Sequence, residues 1–377
     1  MQTKHFGLCA ALSAAALLLL AGCAGSGSTA APTLTVESSY PLQYAKQFTV
    51  DECTGGYELI TIADSQYLVV PQGAAVPEDL PQGTTVLQQP IENIYLVSTS
   101  AMDPIISLGA LDSIALSGTK ADGWYLPEAK AAMQAGQIAY AGKYSAPDYE
   151  TILASGCGLA IENTMIYHTP EVKEQLEKFG IPVLVERSSY ETDPLARMEW
   201  VKLYGTLLGK KQEAEQLFDT QVQRVAPLEN QQPTGKSVAF FSITSNNLVT
   251  VRKGSDYVAR MIEMAGGSYV FDDLTDSGNN LATINLSLED FYAGAKDADV
   301  LIYNSTIEGS IASTEQLVEK CPLLAQFKAV QNGNVWCTAQ SLFQQSMELP
   351  DLILDMNRVF TEGTPADSEL TFLTHVE

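Results

Sequence analysis

Short apolar runs recur along the chain at intervals that suit alternating strands and helices. Residues 94–98 (Ile-Tyr-Leu-Val-Ser), 113–116, 159–161 and 181–185 each have the length and character of a buried strand. Between them, 102–111 and 170–179 repeat apolar positions at helical spacing. This βαβ rhythm predicts a mainly parallel sheet covered on both faces. The rhythm then pauses. Asp193-Pro194 supplies a cap and a first-turn proline in the right order for a helix to 208, where Gly209 interrupts it. A second helix is expected from 210 to about 228, with Ala214, Leu217, Phe218, Gln221, Val222 and Val225 along one side. At 1.5 Å per residue it would be a rod of roughly 28 Å. After the break at 230–235 the alternation restarts: strand 237–243, helix 256–265 ending at Gly266-Gly267, strand 300–303, helix 314–319, strand 334–336 and a terminal helix 349–360. The expected fold is α/β, two Rossmann-like lobes joined by a single long helix.

The stretch ahead of this pattern has its own character. Residues 48–50 and 57–62, split by Thr54-Gly55-Gly56, predict a β-hairpin. Residues 67–70 add a strand, and 71–83 form a Pro/Gly-rich surface loop. Small uncharged residues over 24–33 read as a flexible tether. Further upstream, Lys4, the apolar stretch 8–20 and the small pair Ala21-Gly22 make a charged n-region, an h-region and a cleavage site. The apolar stretch falls short of the ~20 residues that span a bilayer. Leu20-Ala21-Gly22-Cys23 resembles the lipobox of bacterial lipoproteins, in which cleavage frees a cysteine that carries the lipid. The alternative is a plain secretory peptide cut elsewhere. The expected division is a signal peptide over 1–22, a tether over 23–35, a first lobe over 36–209, a linking helix over 210–229 and a second lobe over 230–377. Cys23 would hold the protein outside the cytoplasmic membrane by an N-terminal lipid.

Composition narrows the function. With 45 acidic against 21 basic residues the net charge is −24, a field that repels nucleic acid and anionic lipid. Most of this charge reads as a solubilising surface, and part of it suits docking onto a basic partner. Cys53, Cys157, Cys321 and Cys337 lie far apart without CxxC pairing, which removes a zinc ribbon. An exported location permits disulfides, with Cys321 and Cys337 the favoured pair, and buried free thiols are the simpler default. After export only His168 and His375 would remain, too few for HExxH or a three-histidine zinc site. GxSxG is absent, and Gly205 to Lys210 has the wrong spacing for a P-loop. No catalytic constellation emerges, which argues against an enzyme.

Several stretches, in order, resemble the substrate-binding proteins of ABC importers for iron-siderophores, haem and cobalamin. Residues 152–162 are followed by Thr169-Pro170-Glu171 and then Phe179-Gly180-Ile181-Pro182-Val183. Asp193-Pro194-Leu195, Leu207-Leu208-Gly209-Lys210 and Glu213-Ala214-Glu215 come next, and Gly333-Asn334-Val335-Trp336 closes the series. The resemblance covers about 92–360. It implies a binding protein with a ligand cleft between the lobes, no permanently bound cofactor, a monomeric state, and an ABC permease with its ATPase as partner. It also implies permease docking through one glutamate per lobe, by position Glu171 and Glu289. Each is equally an ordinary N-terminal helix glutamate favoured by the helix dipole.

The ligand is expected at the loops after the strands, where open α/β sheets place their sites. In the first lobe these are 98–102, 123–125, 142–145, 163–168 and 187–190. In the second they are 244–252, 304–308 and 338–344. Arg187, Arg252 and Lys143 stand out in a chain with so few cations and suit an anionic ferric siderophore or haem propionate, against the alternative of structural ion pairs. Trp124, Tyr125 and Tyr144 offer stacking faces or simply anchor loops. Asn163, Tyr190, Asn246, Asn304, Gln340 and Phe343 complete the candidate lining. Tyr167 and His168 have the chemistry of axial metal ligands, or they lead into the helix begun by Pro170. The segment 35–89 exceeds the family's usual start and is expected to reshape the cleft mouth. Two other readings stay open: uptake of a free metal ion, which two histidines disfavour, and an exported surface enzyme.

Overall fold

A computed structural model of the chain describes residues 33–275 and 282–377. The expected signal peptide, Cys23 and nearly all of the expected tether therefore lie outside the described residues. Three sheets organise the rest. The first is five-stranded, in spatial order Val36–Ser39, Phe48–Cys53, Glu58–Ile62, Ser65–Val70 and Thr85–Gln88; all neighbours are antiparallel except the last pair. Its hairpin is the one the sequence predicts. In Ser65–Val70 the period of two is visible directly: Tyr67 and Val69 join the main core, while Leu68 and Val70 face a satellite cluster with Cys53 and Tyr57.

The second sheet is fully parallel, ordered Val183–Val185, Ala160–Glu162, Ile94–Leu96, Ile114–Ser117, Ala139–Tyr140. Ile94, Leu96, Ile161 and Leu184 point to one core, and Tyr95, Ala160, Val183 and Val185 to another. Burial on both faces explains why these strands read as unbroken apolar runs. The third sheet runs Thr283–Leu286, Val249–Arg252, Ser237–Ile243, Val300–Tyr303, Val335–Thr338, Leu373–His375, with Ser268–Tyr269 also on Ser237–Ile243. Its centre is parallel as expected. Thr283–Leu286, Val249–Arg252 and Leu373–His375 are antiparallel additions that the sequence reading left as loop. No strand is shared between the second and third sheets, so the architecture is that of two α/β lobes.

Between the two lobes the chain is helical. The expected single helix from 193 is two, Pro194–Glu199 and Val201–Leu207. The break at Trp200 coincides with strong sideways demands on its neighbours. Glu199 accepts backbone N–H bonds from Gln43, Tyr44 and Ala45 at 2.8–3.0 Å and pairs with Lys202 at 2.8 Å. Trp200 sets its ring edge-on to Phe48 at 4.9 Å and donates Nε1–H to Glu191 at 3.1 Å. Glu191 in turn accepts the N–H groups of Lys46 and Gln47. Two buried carboxylates thus fasten the loop after the first strand to the body. The following helix is Lys211–Val225, continued by a 3-10 turn Ala226–Leu228. Its 15 residues make a rod of about 22 Å. Gly205 lets it cross the preceding helix closely, since a Cβ there would sit 2.6 Å from that of Ala214. Arg224 ties it to Asp351 on the terminal helix Leu349–Glu362.

Cys53, Cys157, Cys321 and Cys337 are free thiols, so the Cys321–Cys337 bridge is not formed. Both of those residues sit in the main apolar core, and burial pushes the Cys337 thiol up.

Candidate binding cleft

The carboxyl ends of the parallel strands aim their loops at the junction of the lobes. Ser98 lies just beyond Ile94–Leu96, Asn163 follows Ala160–Glu162, and Glu186 follows Val183–Val185. Across from them, Arg252 ends Val249–Arg252, and Asp256 caps the helix Tyr257–Met264 by accepting the Val258 N–H at 3.0 Å. A cavity of about 350 Å³ lies between, lined by Ser98, Thr99, Ser100, Asn163, Thr164, Met165, Glu186, Ser189 and Arg197 on one side and by Arg252, Asp256, Tyr257, Ala282 and Phe343 on the other.

Two guanidinium groups, one from each side, meet at the Tyr257 ring. Arg197 stands 4.8 Å from the centre of the Tyr257 ring and Arg252 5.9 Å, with Arg252 also over Phe343 at 4.7 Å. Asp256 pairs with Arg252 at 3.6 Å. The Tyr269 hydroxyl accepts the Arg252 backbone N–H at 3.0 Å and donates to its carbonyl at 2.9 Å, fixing the strand end from which the side chain projects. Burial pushes the Tyr257 hydroxyl up, partly offset by the two arginines, so the ring is a neutral π-face for both cations. Among the described residues Asp256 is the one carboxylate within 4.0 Å of either guanidinium. The pair therefore presents N–H donors and net positive charge.

A buried carboxylate lines the same cavity and has the reverse polarity. Glu186, 2% exposed, accepts hydrogen bonds from the Ser98 and Ser100 hydroxyls at 3.0 Å each and from the Ser188 N–H at 2.7 Å. Acceptors gather about Glu186, and the guanidinium donors about Tyr257.

A profile described as periplasmic binding protein matches residues 96–341, well over half of the chain and reaching into both lobes. The chain belongs to that family. It is 27% identical over 241 residues to an uncharacterized lipoprotein of Methanocaldococcus jannaschii, covering 62% of this chain and 55% of the relative. An uncharacterized protein of the same organism is 27% identical over 170 residues, 44% of this chain and 49% of that one. The chain thus spans about half the length of the curated relatives it matches. Among solved structures, a periplasmic binding protein from Veillonella parvula superposes with a TM-score of 0.60 at 16% identity, over 84% of this chain and 98% of that one. The periplasmic heme binding protein of Vibrio cholerae gives 0.57 at 17%, over 73% and 99%. A protein of an ABC-type Fe3+-hydroxamate transport system from Saccharomonospora viridis gives 0.56 at 22%, over 72% and 94%. At such identities the likeness is one of fold.

Within this periplasmic binding protein the cleft gathers three of the predicted side chains: Asn163, Arg252 and Phe343. The others lie elsewhere, each for a physical reason. Trp124 is 1% exposed and donates Nε1–H to Ser117 at 3.2 Å, so the core claims its ring. Tyr125 is exposed, but its N–H is taken by the Gln344 side chain at 2.8 Å. Lys143 is exposed on a two-residue hairpin strand, and Tyr144 packs on the outer apolar cluster of the first lobe. Arg187 stacks on Tyr190 at 4.4 Å and donates to the Gln47 side chain, and neither Arg187 nor Tyr190 is in the cavity lining. Tyr167 and His168 are exposed on a 3-10 turn, likewise outside the lining, which removes the geometry for axial ligation in this cleft. Asn246 is exposed in the turn between two antiparallel strands. Asn304 spends its side-chain oxygen capping the helix Ser305–Glu308. Gln340 is half-buried and does not line the cavity. The segment 35–89 contributes no residue to the cavity lining.

Sequence reasoning missed Arg197, Glu186, Asp256 and Tyr257. Arg197 and Glu186 could have been found as lone charges inside buried runs, Leu-Ala-Arg-Met and Val-Leu-Val-Glu. A larger cavity, about 410 Å³, lies at residues 89–93 and 207–210, on the amino-terminal side of the strands. It lacks converging buried charges, and we place function in the smaller cleft. The lobes also touch directly. Gln344 donates to the Gly123 carbonyl at 2.8 Å, Ser346 to that of Ser100 at 3.1 Å, and the Met347 N–H to Asp103 at 2.7 Å. Glu171 and Glu289 are both exposed, each in the first turn of its helix.

Proposed function

We propose that the protein captures a metal chelate of the siderophore, haem or corrinoid type outside the cytoplasmic membrane and delivers it to an ABC permease. The observation that carries this reading is the pair of guanidinium groups, one from each side of the lobe junction, stacked about the single ring of Tyr257. Such donors suit the oxygen-rich shell of a chelated metal or a carboxylate, by bidentate hydrogen bonds worth more than neutral ones. Family membership and the resemblance to structures titled as heme-binding and Fe3+-hydroxamate transport proteins support the same class. A ferric trihydroxamate, haem and cobalamin titrated separately into the protein, with tryptophan fluorescence as readout, test it. Saturable binding of one at micromolar concentration or below is expected. Failure of all three to bind would remove the reading.

Three further parts belong to this proposal. The helix Lys211–Val225 is the link between lobes, and one helix bends little, so the cleft is largely preformed and scattering should show little change in radius of gyration on loading. Glu171 and Glu289 dock the permease, where two like charges on a rigid body fix orientation; reversing both to Arg should abolish stimulation of the permease ATPase. Cys23 carries the lipid, a reading supported by Leu20-Ala21-Gly22-Cys23 and by a relative named as a lipoprotein. Radiolabelled palmitate should be incorporated by the wild type and lost in Cys23→Ala.

A further inference from the structure

We infer that Glu186 selects a ligand bearing a protonated amine, seated against the acceptors of the cleft. This rests on the chelate-capture reading and sharpens it. Glu186 is buried at the carboxyl end of a parallel strand and lines the cavity. Three donors from the protein meet it, all of them neutral groups: the Ser98 and Ser100 hydroxyls and the Ser188 N–H. Among the described residues no Lys, Arg or His nitrogen lies within 4.0 Å of its carboxylate, although Arg197 and Arg252 line the same cavity. A buried carboxylate without a cation is costly, and a ligand cation would offset that cost.

The two serines sharpen the specificity. Their hydroxyl oxygens lie 3.1 Å from each other and 3.0 Å from the same Glu186 oxygen. With both hydroxyls donating to Glu186, or one of them to the other, the protons stay within the Ser98–Ser100–Glu186 cluster. What the cluster can offer a ligand is lone pairs. A primary ammonium carries three N–H donors and no acceptor. It matches one carboxylate oxygen and two seryl oxygens. Arg197 and Arg252, which line the same cavity about Tyr257, supply N–H donors that suit the electron-rich oxygens of the chelate. The pattern therefore fits a ligand that carries both electron-rich oxygens and a cation. It disfavours a ligand whose charged groups are all anionic, because Glu186 would then have no cation to meet.

The test uses ferrioxamine B, a linear ferric trihydroxamate with a terminal ammonium, and its N-acetylated form, in which a neutral amide replaces that ammonium. Haem and cobalamin serve as further probes. Calorimetric titration of the wild type should give at least about tenfold tighter binding of the ammonium form, the scale of one charge-assisted hydrogen bond. Glu186→Gln should bring the two forms to within about twofold. A Glu186 that only held Ser98 and Ser100 in place would lower both affinities and leave their ratio unchanged, and that result would overturn the inference. So would equal binding of the two forms by the wild type, or binding of haem or cobalamin alone, both of which leave chelate capture standing. Binding of none of the four would remove both readings together. If Glu186→Gln does not fold, the wild-type ratio decides alone, with Ser100→Ala expected to lower it about threefold.

Discussion

Glu162 ends the strand Ala160–Glu162 with its side chain fully buried, and neither carboxylate oxygen has a hydrogen-bond partner. Burial alone pushes its pKa from 4.5 up to about 8. The unfolded chain gives up this proton near pH 4.5, whereas the folded protein keeps it until about pH 8. Between those values folding takes up one proton, so stability falls as pH rises, by about 1.4 kcal/mol per pH unit. The stabilising proton is fully present in both states below 4.5, and the penalty is complete above 8. From pH 5.5 to 7.5 the loss from this one group is about 3 kcal/mol. Glu162→Gln keeps the volume and abolishes the titration. Urea unfolding of both proteins at pH 5.5, 6.5 and 7.5 should show the difference in unfolding free energy moving in the variant's favour by that amount. Two profiles that run parallel across this range would refute the argument, since they would mean that Glu162 ionises in the folded state as it does in water.

Other perturbations act on the cleft and the lobe contact. Arg252→Ala should weaken capture of the bound chelate by about tenfold to hundredfold, measured by calorimetry, because it removes a charge-assisted donor and leaves Asp256 unpaired. Gly254→Ala should cost more than about 2 kcal/mol in urea unfolding, since a Cβ there would lie 1.7 Å from the Asp272 carbonyl oxygen, which the backbone must move to relieve. Trp124→Phe should cost about 1–3 kcal/mol of stability in the same assay, through lost volume and the lost bond to Ser117. Asp103 and Glu348 meet across the lobe junction, with Glu128 and Asp351 adding negative charge around them. Burial, then the Asp103 charge, push Glu348 up to about 8, so above that pH two carboxylates repel across the junction. Small-angle scattering should show the radius of gyration rising between pH 6.5 and 9, and not in Glu348→Gln.

The alternation of strands and helices was legible because the central strands are buried on both faces. Runs such as Ser237–Ile243 and Val300–Tyr303 then contain little but apolar residues, and a run of that kind declares itself. The edge strands were not legible. Val249–Arg252 alternates buried and half-buried positions over only four residues, and it follows the polar sequence Thr-Ser-Asn-Asn that reads as loop. Thr283–Leu286 and Leu373–His375 are equally short and gain their definition from the neighbour they pair with. At the cleft, the loops at 98–100 and 163–165 were found from topology, because strand ends dictate where loops gather. The individual side chains followed less well. Aromatic residues in loops read as available, yet Trp124 is core and Tyr190 is covered by Arg187. Arg197 sits on a helix whose residues are all buried, and a lone charge in the run Leu-Ala-Arg-Met was its one sign in the sequence.

The helix Pro194–Glu199 serves two masters. Arg197 enters the cleft, and two residues later Glu199 grips the backbone of 43–45. A load applied to the amino-terminal sheet is thereby felt within half a helical turn of a cleft guanidinium. Trimming the protein to begin near residue 91 would bare the carboxylates of Glu191 and Glu199 and release that grip. Anyone grafting this cleft onto a shorter relative must move the 40–47 loop and the helix together, as one cassette.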